Sequence, residues 1–280
     1  MKLPLIVFLL ASTAVAADCD RACLRGVITQ YLDALVAHNP AALPLDPKVR
    51  FTEDTVEMKL GEGLWKTASR LRPYRLDILD VRQQVAAAHV IVEEAGSPVL
   101  LVLRLKVADK KLTEIETMAV RGQQEGRIFN LDSLQGARKE MTVEPAPAER
   151  ASRAEAVKLA EFYPAGLKAG NFVTVDAPFA ANAYRLENGG FMAGPGCTRA
   201  GCENIKTQKI IEHPAITWRV AAVDEELGLV LLRLNFGDTK SYGPGNALIV
   251  WEAFKVYGGQ IHAVEAFMEV MPASAGSGWD

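Results

Sequence analysis

The sequence contains no cluster of Lys and Arg: its 31 basic side chains are interspersed with 34 acidic ones, for a formal charge of -3. That absence argues against nucleic acid and against an anionic membrane surface as partners. Also missing are G-x-S-x-G, H-E-x-x-H, the P-loop and the dinucleotide-binding glycine pattern. A serine hydrolase, a zinc protease and a nucleotide enzyme are therefore unsupported, and no cofactor is expected.

The chain opens on MKLPLIVFLLASTAVAA. One Lys, an apolar run of about ten residues and the small-residue string Ala14-Val15-Ala16 form the pattern of a secretory signal peptide over 1–17, cleaved after Ala16. The run falls short of the roughly 20 apolar residues that cross a bilayer, so no membrane insertion is expected once the signal is removed. No Cys directly follows the cleavage site, which leaves a lipid anchor unsupported. An exported protein, periplasmic or extracellular, is expected. Its 264 remaining residues (280 − 16) suit two domains better than one.

Four Cys lie beyond the signal: Cys19 and Cys23, then Cys197 and Cys202. An oxidising compartment makes disulfides of them. Two local bridges, Cys19–Cys23 and Cys197–Cys202, are favoured because Cys separated by four helical positions come within bonding reach. Pairing between the clusters, which would staple two halves together, is the rival. Metal binding lacks a nearby His in either cluster.

The chain is written twice. Residues 24–39 place Leu24, Val27, Ile28, Tyr31 and Leu35 on one helical face, and residues 156–171 answer at an offset of 132, Tyr31 with Tyr163 and Leu35 with Leu167. Ser152 and Glu155 form a capping box before the second helix, and Pro164 should kink or break it. Further on, Glu53 matches Glu187 at offset 134, Asp80 matches Asp224 at 144 and Glu116 matches Glu265 at 149. An offset that only grows is the mark of loop insertions in a copied domain. The expected division is a signal peptide over 1–17, domains over 18–142 and 152–272, a Pro/Ala-rich linker over 143–151 and a flexible, solvated tail over 273–280. Each half reads as a helix, a short strand, an irregular segment and three long antiparallel strands.

That order resembles the cone-shaped α+β fold of the NTF2-like superfamily, which includes the SnoaL-like and ketosteroid-isomerase-like families. The stretches FTED…GEGLW and LRLKV…LTEIET are also similar to an uncharacterised family of exported tandem NTF2-like proteins. The resemblance implies two tandem cones, each an N-terminal helix on a curved antiparallel sheet. It is silent on the reaction, because the superfamily hosts isomerases, cyclases, dehydratases, lyases and plain binding modules.

A two-residue turn at Asp109-Lys110 sets Leu103 opposite Glu116 and Leu105 opposite Glu114, two carboxylates on an apolar face. In the second half the same argument sets Glu252 opposite Glu265, flanked by Val250, Phe254 and Phe267. Carboxylates so close in apolar surroundings cannot both ionise cheaply, and a shared proton suits general acid–base work. The competing reading is neutralisation, by Arg233 or Lys209 for Glu252 and Glu265 and by Arg104 and Lys106 for Glu114 and Glu116. Glu53 and Glu187, at strand ends, suit a hydrogen bond to loop backbone. His89, matched by Arg233 in the other copy, is either aimed into the cone or a satisfied core histidine. Trp65 and Trp218 are either core or ligand platform. His213 belongs to a loop, His262 to the face opposite the Glu pair, and His38 to a helix end.

Two function classes follow. One is a cofactor-free lyase, isomerase or dehydratase acting on an apolar small molecule through pocket carboxylates. The other is a small-molecule or protein binding module without turnover. The oligomeric state is left open.

Overall fold

A computed structural model describes residues 18–237, 241–276 and 279; the expected signal peptide, 1–17, lies outside the described residues. The element order is α1 (Arg21–Val36), β1 (Leu45–Glu53), β2 (Val56–Glu57), β3 (Ala68–Asp80), β4 (Val85–Glu94), β5 (Ser97–Ala108), β6 (Lys111–Val120), α2 (Gln123–Gly126), α3 (Lys139–Thr142), α4 (Arg153–Ala169), β7 (Phe179–Glu187), β8 (Gly190–Ala193), β9 (Thr217–Asp224), β10 (Leu229–Asn235), β11 (Asn246–Tyr257) and β12 (Gln260–Pro272). The copied pattern holds element by element. α1 and α4 start 132 residues apart (153 − 21), β1 and β7 134 (179 − 45), β4 and β10 144 (229 − 85), and β5 and β11 149 (246 − 97).

Each half folds a helix against a six-stranded sheet, in the orders β2-β1-β6-β5-β4-β3 and β8-β7-β12-β11-β10-β9. The sheets are mixed rather than wholly antiparallel, because β1 runs parallel to β6 and β7 to β12. Four strands, not the expected three, follow the irregular segment, because the chain also reverses at residues 81–84 between β3 and β4. α4 carries the expected capping box at Ser152 and Glu155. It also runs unbroken through Pro164 to Ala169 and ends on Gly170 in the left-handed region, so the expected break is absent. A proline costs this helix one N–H bond, and the burial of Tyr163, Pro164, Gly166 and Leu167 on both sides of it holds the turn in place.

Three cores result. One lies between α1 and the inner face of the first sheet, with Leu24, Ile28, Tyr31, Trp65 and Leu103. Its counterpart lies under α4, with Tyr163, Phe172, Val230, Val250 and Phe254. The third forms where the outer faces of the two sheets meet, with Leu76, Leu100 and Met118 from the first and Leu231, Trp251 and Phe267 from the second. Ala87, Ala222, Ala253 and Ala263 are buried in that seam, and side chains this small let two sheets approach closely.

The seam is closed by a reciprocal exchange. Arg21, first residue of α1, donates to both carboxylate oxygens of Asp224 at 2.6 and 2.8 Å. Arg153, first residue of α4, donates to both of Asp80 at 2.8 and 2.7 Å. Asp224 further accepts from the backbone of Leu79 and Leu227, and Asp80 from Val223 and Gln83. Each pairing in one half is matched in the other at an offset of 132 or 144, which is the self-complementary pattern of a two-fold interface.

Both expected local disulfides are present, Cys19–Cys23 and Cys197–Cys202. The expected solvated tail includes Trp279, whose indole N–H donates to Thr52 at 2.9 Å with the Arg50 guanidinium 4.5 Å from its ring. Among the described residues no helix is long and apolar enough to cross a membrane.

Candidate functional site

The two inner cores differ at a few positions. In the first cone the Tyr31 hydroxyl accepts the Trp65 indole N–H at 3.0 Å, with the rings edge to face at 5.2 Å. Phe51 and Leu103 are buried in the same core. At the matching positions of the second cone stand Tyr163 (31 + 132), Arg185 (51 + 134) and Glu252 (103 + 149). Two apolar fillers have become a cation and an acid. A cavity of about 450 Å³ opens beside them, its walls including Leu167, Phe236, Leu248, Val250 and Met268.

Glu252 is held by β11 and is fully buried. Burial and the nearby Glu187 charge push its carboxyl up to about 8, against the opposing pull of Arg185 and a hydrogen bond with the Tyr163 hydroxyl. It is therefore a neutral acid at pH 7. Among the described residues its Oε2 has no hydrogen-bond partner. Arg185 does not neutralise it directly. That guanidinium donates to Tyr163 Oη at 3.0 Å and Gln208 Oε1 at 2.9 Å and lies 3.1 Å from Glu187 Oε1. Gln208 is fixed in turn by a bond to the Met192 carbonyl at 2.9 Å. His213 also lines the cavity, packs on Phe236 at 4.5 Å and keeps an unpartnered Nδ1; burial lowers its pKa, so it is a neutral base.

The expected carboxylate pairs do not form. β12 carries an extra residue, His262, so that Val256 faces Ile261 but Lys255 faces Ala263; beyond it Glu252 pairs with Ala266 and Ala253 with Glu265. A one-residue bulge turns every later side chain to the other face. Glu252 thus faces the cone while Glu265 faces the seam, where it accepts from Tyr184 at 2.6 Å and Tyr74 at 3.2 Å. Burial raises the Glu265 pKa against those two bonds. The same bulge recurs at Thr113 in the first half (262 − 149), where Arg104 faces Glu116, Lys106 faces Glu114 and Leu103 faces Thr117. Glu114 and Glu116 accordingly leave the apolar face expected for them. Arg104 lies 2.8 Å from Glu114 and 3.8 Å from Glu116, and Arg219 of the other half reaches Glu116 at 2.5 Å. Arg233 and Lys209 do not supply the cation beside Glu252.

The remaining expected site residues scatter. His89 lies in the seam rather than the cone, stacked on Phe267 at 4.6 Å, with both ring nitrogens unpartnered. Arg233 donates to the Gly276 carbonyl at 2.8 Å. Phe254 does not line the cavity and packs in the core against Tyr163, ring centroids 5.2 Å apart. Trp65 is core, and Trp218 bonds Glu161 at 3.1 Å. Glu53 does accept from loop backbone, at Leu64. Arg185, Gln208 and Tyr242, which the sequence reading passed over, all line the cavity. Comparing the two copies for buried positions that are apolar in one and charged in the other picks out Arg185 and Glu252, and also Glu269, which stands where the first copy has Val120 (120 + 149). Among the described residues no group of three or more His, Cys, Asp or Glu is placed to hold a metal ion.

Residues 149–268 match the family model of a domain of unknown function, DUF8021. No curated protein is similar in sequence. Among solved structures the chain is similar to a de novo designed protein with a curved β-sheet, at 20% identity and a TM-score of 0.31 over 36% of this chain and 88% of that one. It is similar also to an NTF2-like protein of unknown function from Cytophaga hutchinsonii (12% identity, TM-score 0.25, 34% of this chain and 88% of that one). A third, an NTF-2 like protein of unknown function from Burkholderia xenovorans, shares 9% identity at a TM-score of 0.26 over 36% of this chain and 85% of that one. Each half of this chain is an α+β unit of a helix and a six-stranded mixed sheet, with the same element order and strand order in both.

Proposed function

We propose that the second cone binds an apolar small molecule carrying a hydrogen-bond acceptor such as a carbonyl oxygen, and that Glu252 donates its proton to it. The observation that carries this reading is a buried carboxyl with an unpartnered Oε2 on the wall of a cavity, its pKa pushed up to about 8 by burial and the Glu187 charge. An apolar cavity of a few hundred Å³ with a few convergent polar groups is the usual form of a ligand site. As an enzyme the protein is a cofactor-free lyase, isomerase or dehydratase: Glu252 gives a proton to the substrate oxygen and neutral His213 takes one from carbon. The second reading, binding without turnover, is favoured because the one carboxylate near Glu252, Glu187, is held 3.1 Å from the Arg185 guanidinium. The proposal takes 18–142 and 152–272 as the two domains, places function in the second, and places the disulfide-bonded protein outside the cytoplasm.

Fluorescence titration with the uncharged apolar probe N-phenyl-1-naphthylamine tests the site. Saturable binding is expected, and Met192→Trp, which adds bulk at a half-buried wall position, is expected to weaken it at least about tenfold, roughly 1.4 kcal/mol, with little change in the melting temperature. Unchanged binding in a folded Met192→Trp variant would place the probe elsewhere and contradict the proposal.

A further inference from the structure

The ionic lining of the cavity is unequal. Arg127, Arg185 and Lys209 line it against Glu187 and Glu252. Glu187 is matched to Arg185 at 3.1 Å, and Glu252 is neutral at pH 7. Two cations, Arg127 and Lys209, remain without an ion-pair partner among the described residues. The lining therefore carries a formal +2 (three cations less one anion) on a chain whose total is -3.

Both cations come from segments outside the copied helix-and-sheet core. Arg127 follows α2 in the connection from the first half, and its guanidinium lies over the Tyr242 ring at 5.6 Å. That contact holds the charge at the cavity edge, since a guanidinium over an aromatic face is attracted by the ring's electron density. Lys209 belongs to the long connection from β8 to β9 that also carries the Cys197–Cys202 bridge and supplies Gln208, Ile210 and His213 to the wall. Both side chains are exposed, so they remain hydrated until a ligand arrives. Glu212, on the same connection, packs toward Gly170 instead of the cavity.

From this charge arrangement, and resting on the ligand site proposed above, we infer that the ligand is an apolar monoanion. Its hydrocarbon or aromatic body fills the cone beside Glu252, and one carboxylate or sulfonate-type group lies at the edge between Arg127 and Lys209. An uncharged ligand would leave both cations unmatched, and a cationic one would be repelled by them.

Two probes with the same apolar frame separate the claims: N-phenyl-1-naphthylamine, uncharged, and 8-anilinonaphthalene-1-sulfonate, which adds one anionic group. At low salt and pH 7 the sulfonate is expected to bind about tenfold more tightly, the upper range for two exposed charge contacts. The advantage should shrink in 0.5 M salt. The double variant Arg127→Gln, Lys209→Gln should bring the sulfonate to the affinity of the uncharged probe and leave the latter unchanged. Equal affinities in the native protein would overturn the anion inference and leave the ligand site standing. An advantage that survives the double substitution would also overturn it. Absence of binding by either probe would remove the ligand site and this inference together.

Discussion

Arg153→Ala is expected to lower the unfolding free energy by about 3 kcal/mol, and Arg21→Ala by nearly as much. The two carboxylates they serve are essentially inaccessible, whereas the guanidiniums keep some solvent contact, 18% for Arg21 and 22% for Arg153. Removing the cation strands a buried carboxylate whose remaining bonds come only from backbone N–H groups. The residual exposure of the arginines places the cost at the low end of the range for broken buried pairs. Matched geometry in the two halves predicts matched losses, each a fall of roughly 6–12 °C in melting temperature. Arg→Lys at either position should recover only part of the loss, because an ammonium cannot make the two parallel bonds. Guanidinium chloride denaturation of the four single variants measures this. A loss below about 0.5 kcal/mol at both sites would mean that the exchange does not hold the halves together.

His89→Leu is expected to leave stability at pH 7.5 unchanged or slightly higher and to raise it at pH 4.5 by about 3 kcal/mol relative to the native chain. His89 is enclosed in the seam with both nitrogens unpartnered, and burial lowers its pKa from 6.5 to about 3. The folded state then binds fewer protons than the unfolded one throughout that window. Stability is full above pH 6.5 and falls as the pH drops toward 3, since the unfolded chain takes up a proton that the fold refuses. Leucine removes that proton-binding difference and the unmet hydrogen-bonding demand while keeping a similar volume. Parallel urea titrations across pH 4.5–7.5 give the comparison. Identical pH profiles for the two proteins would show that His89 is charged, or hydrated, in the fold.

Much of this architecture was legible because duplication leaves positional evidence. The helices, their apolar faces and the offsets 132, 134, 144 and 149 follow from side-chain period and repeated spacing alone. The carboxylate geometry did not follow. Register was read outward from the Asp109-Lys110 and Gly258-Gly259 turns, and those turns are where the chain reverses. Thr113 and His262, three positions beyond, carry no local mark of a bulge, being neither glycine nor proline. One unpaired residue therefore moved Glu265 from the cone to the seam and gave Glu116 to Arg104 and Arg219. The parallel pairing of β1 with β6 was equally hidden, because it joins segments some 60 residues apart in sequence (112 − 45 = 67 at its first pair). Glu252 itself is proposed as a site residue for a reason visible in the chain. It replaces Leu103 of the first copy, and a buried acid in place of leucine is costly unless something uses it.

The central claim is that Glu252 is a protonated acid on the wall of a ligand cavity. A ¹³C titration of the glutamate side-chain carboxyls, with Glu252→Gln identifying the resonance by its loss, tests it most directly. The account predicts a midpoint near 8. It also predicts that native stability falls as pH rises from about 4.5 through that midpoint, since the fold retains a proton the unfolded chain gives up. Glu252→Gln should lack this decline. A midpoint at or below the ordinary carboxylate value of about 4.5, with the Glu252 carboxyl ionised at pH 7, would contradict the account.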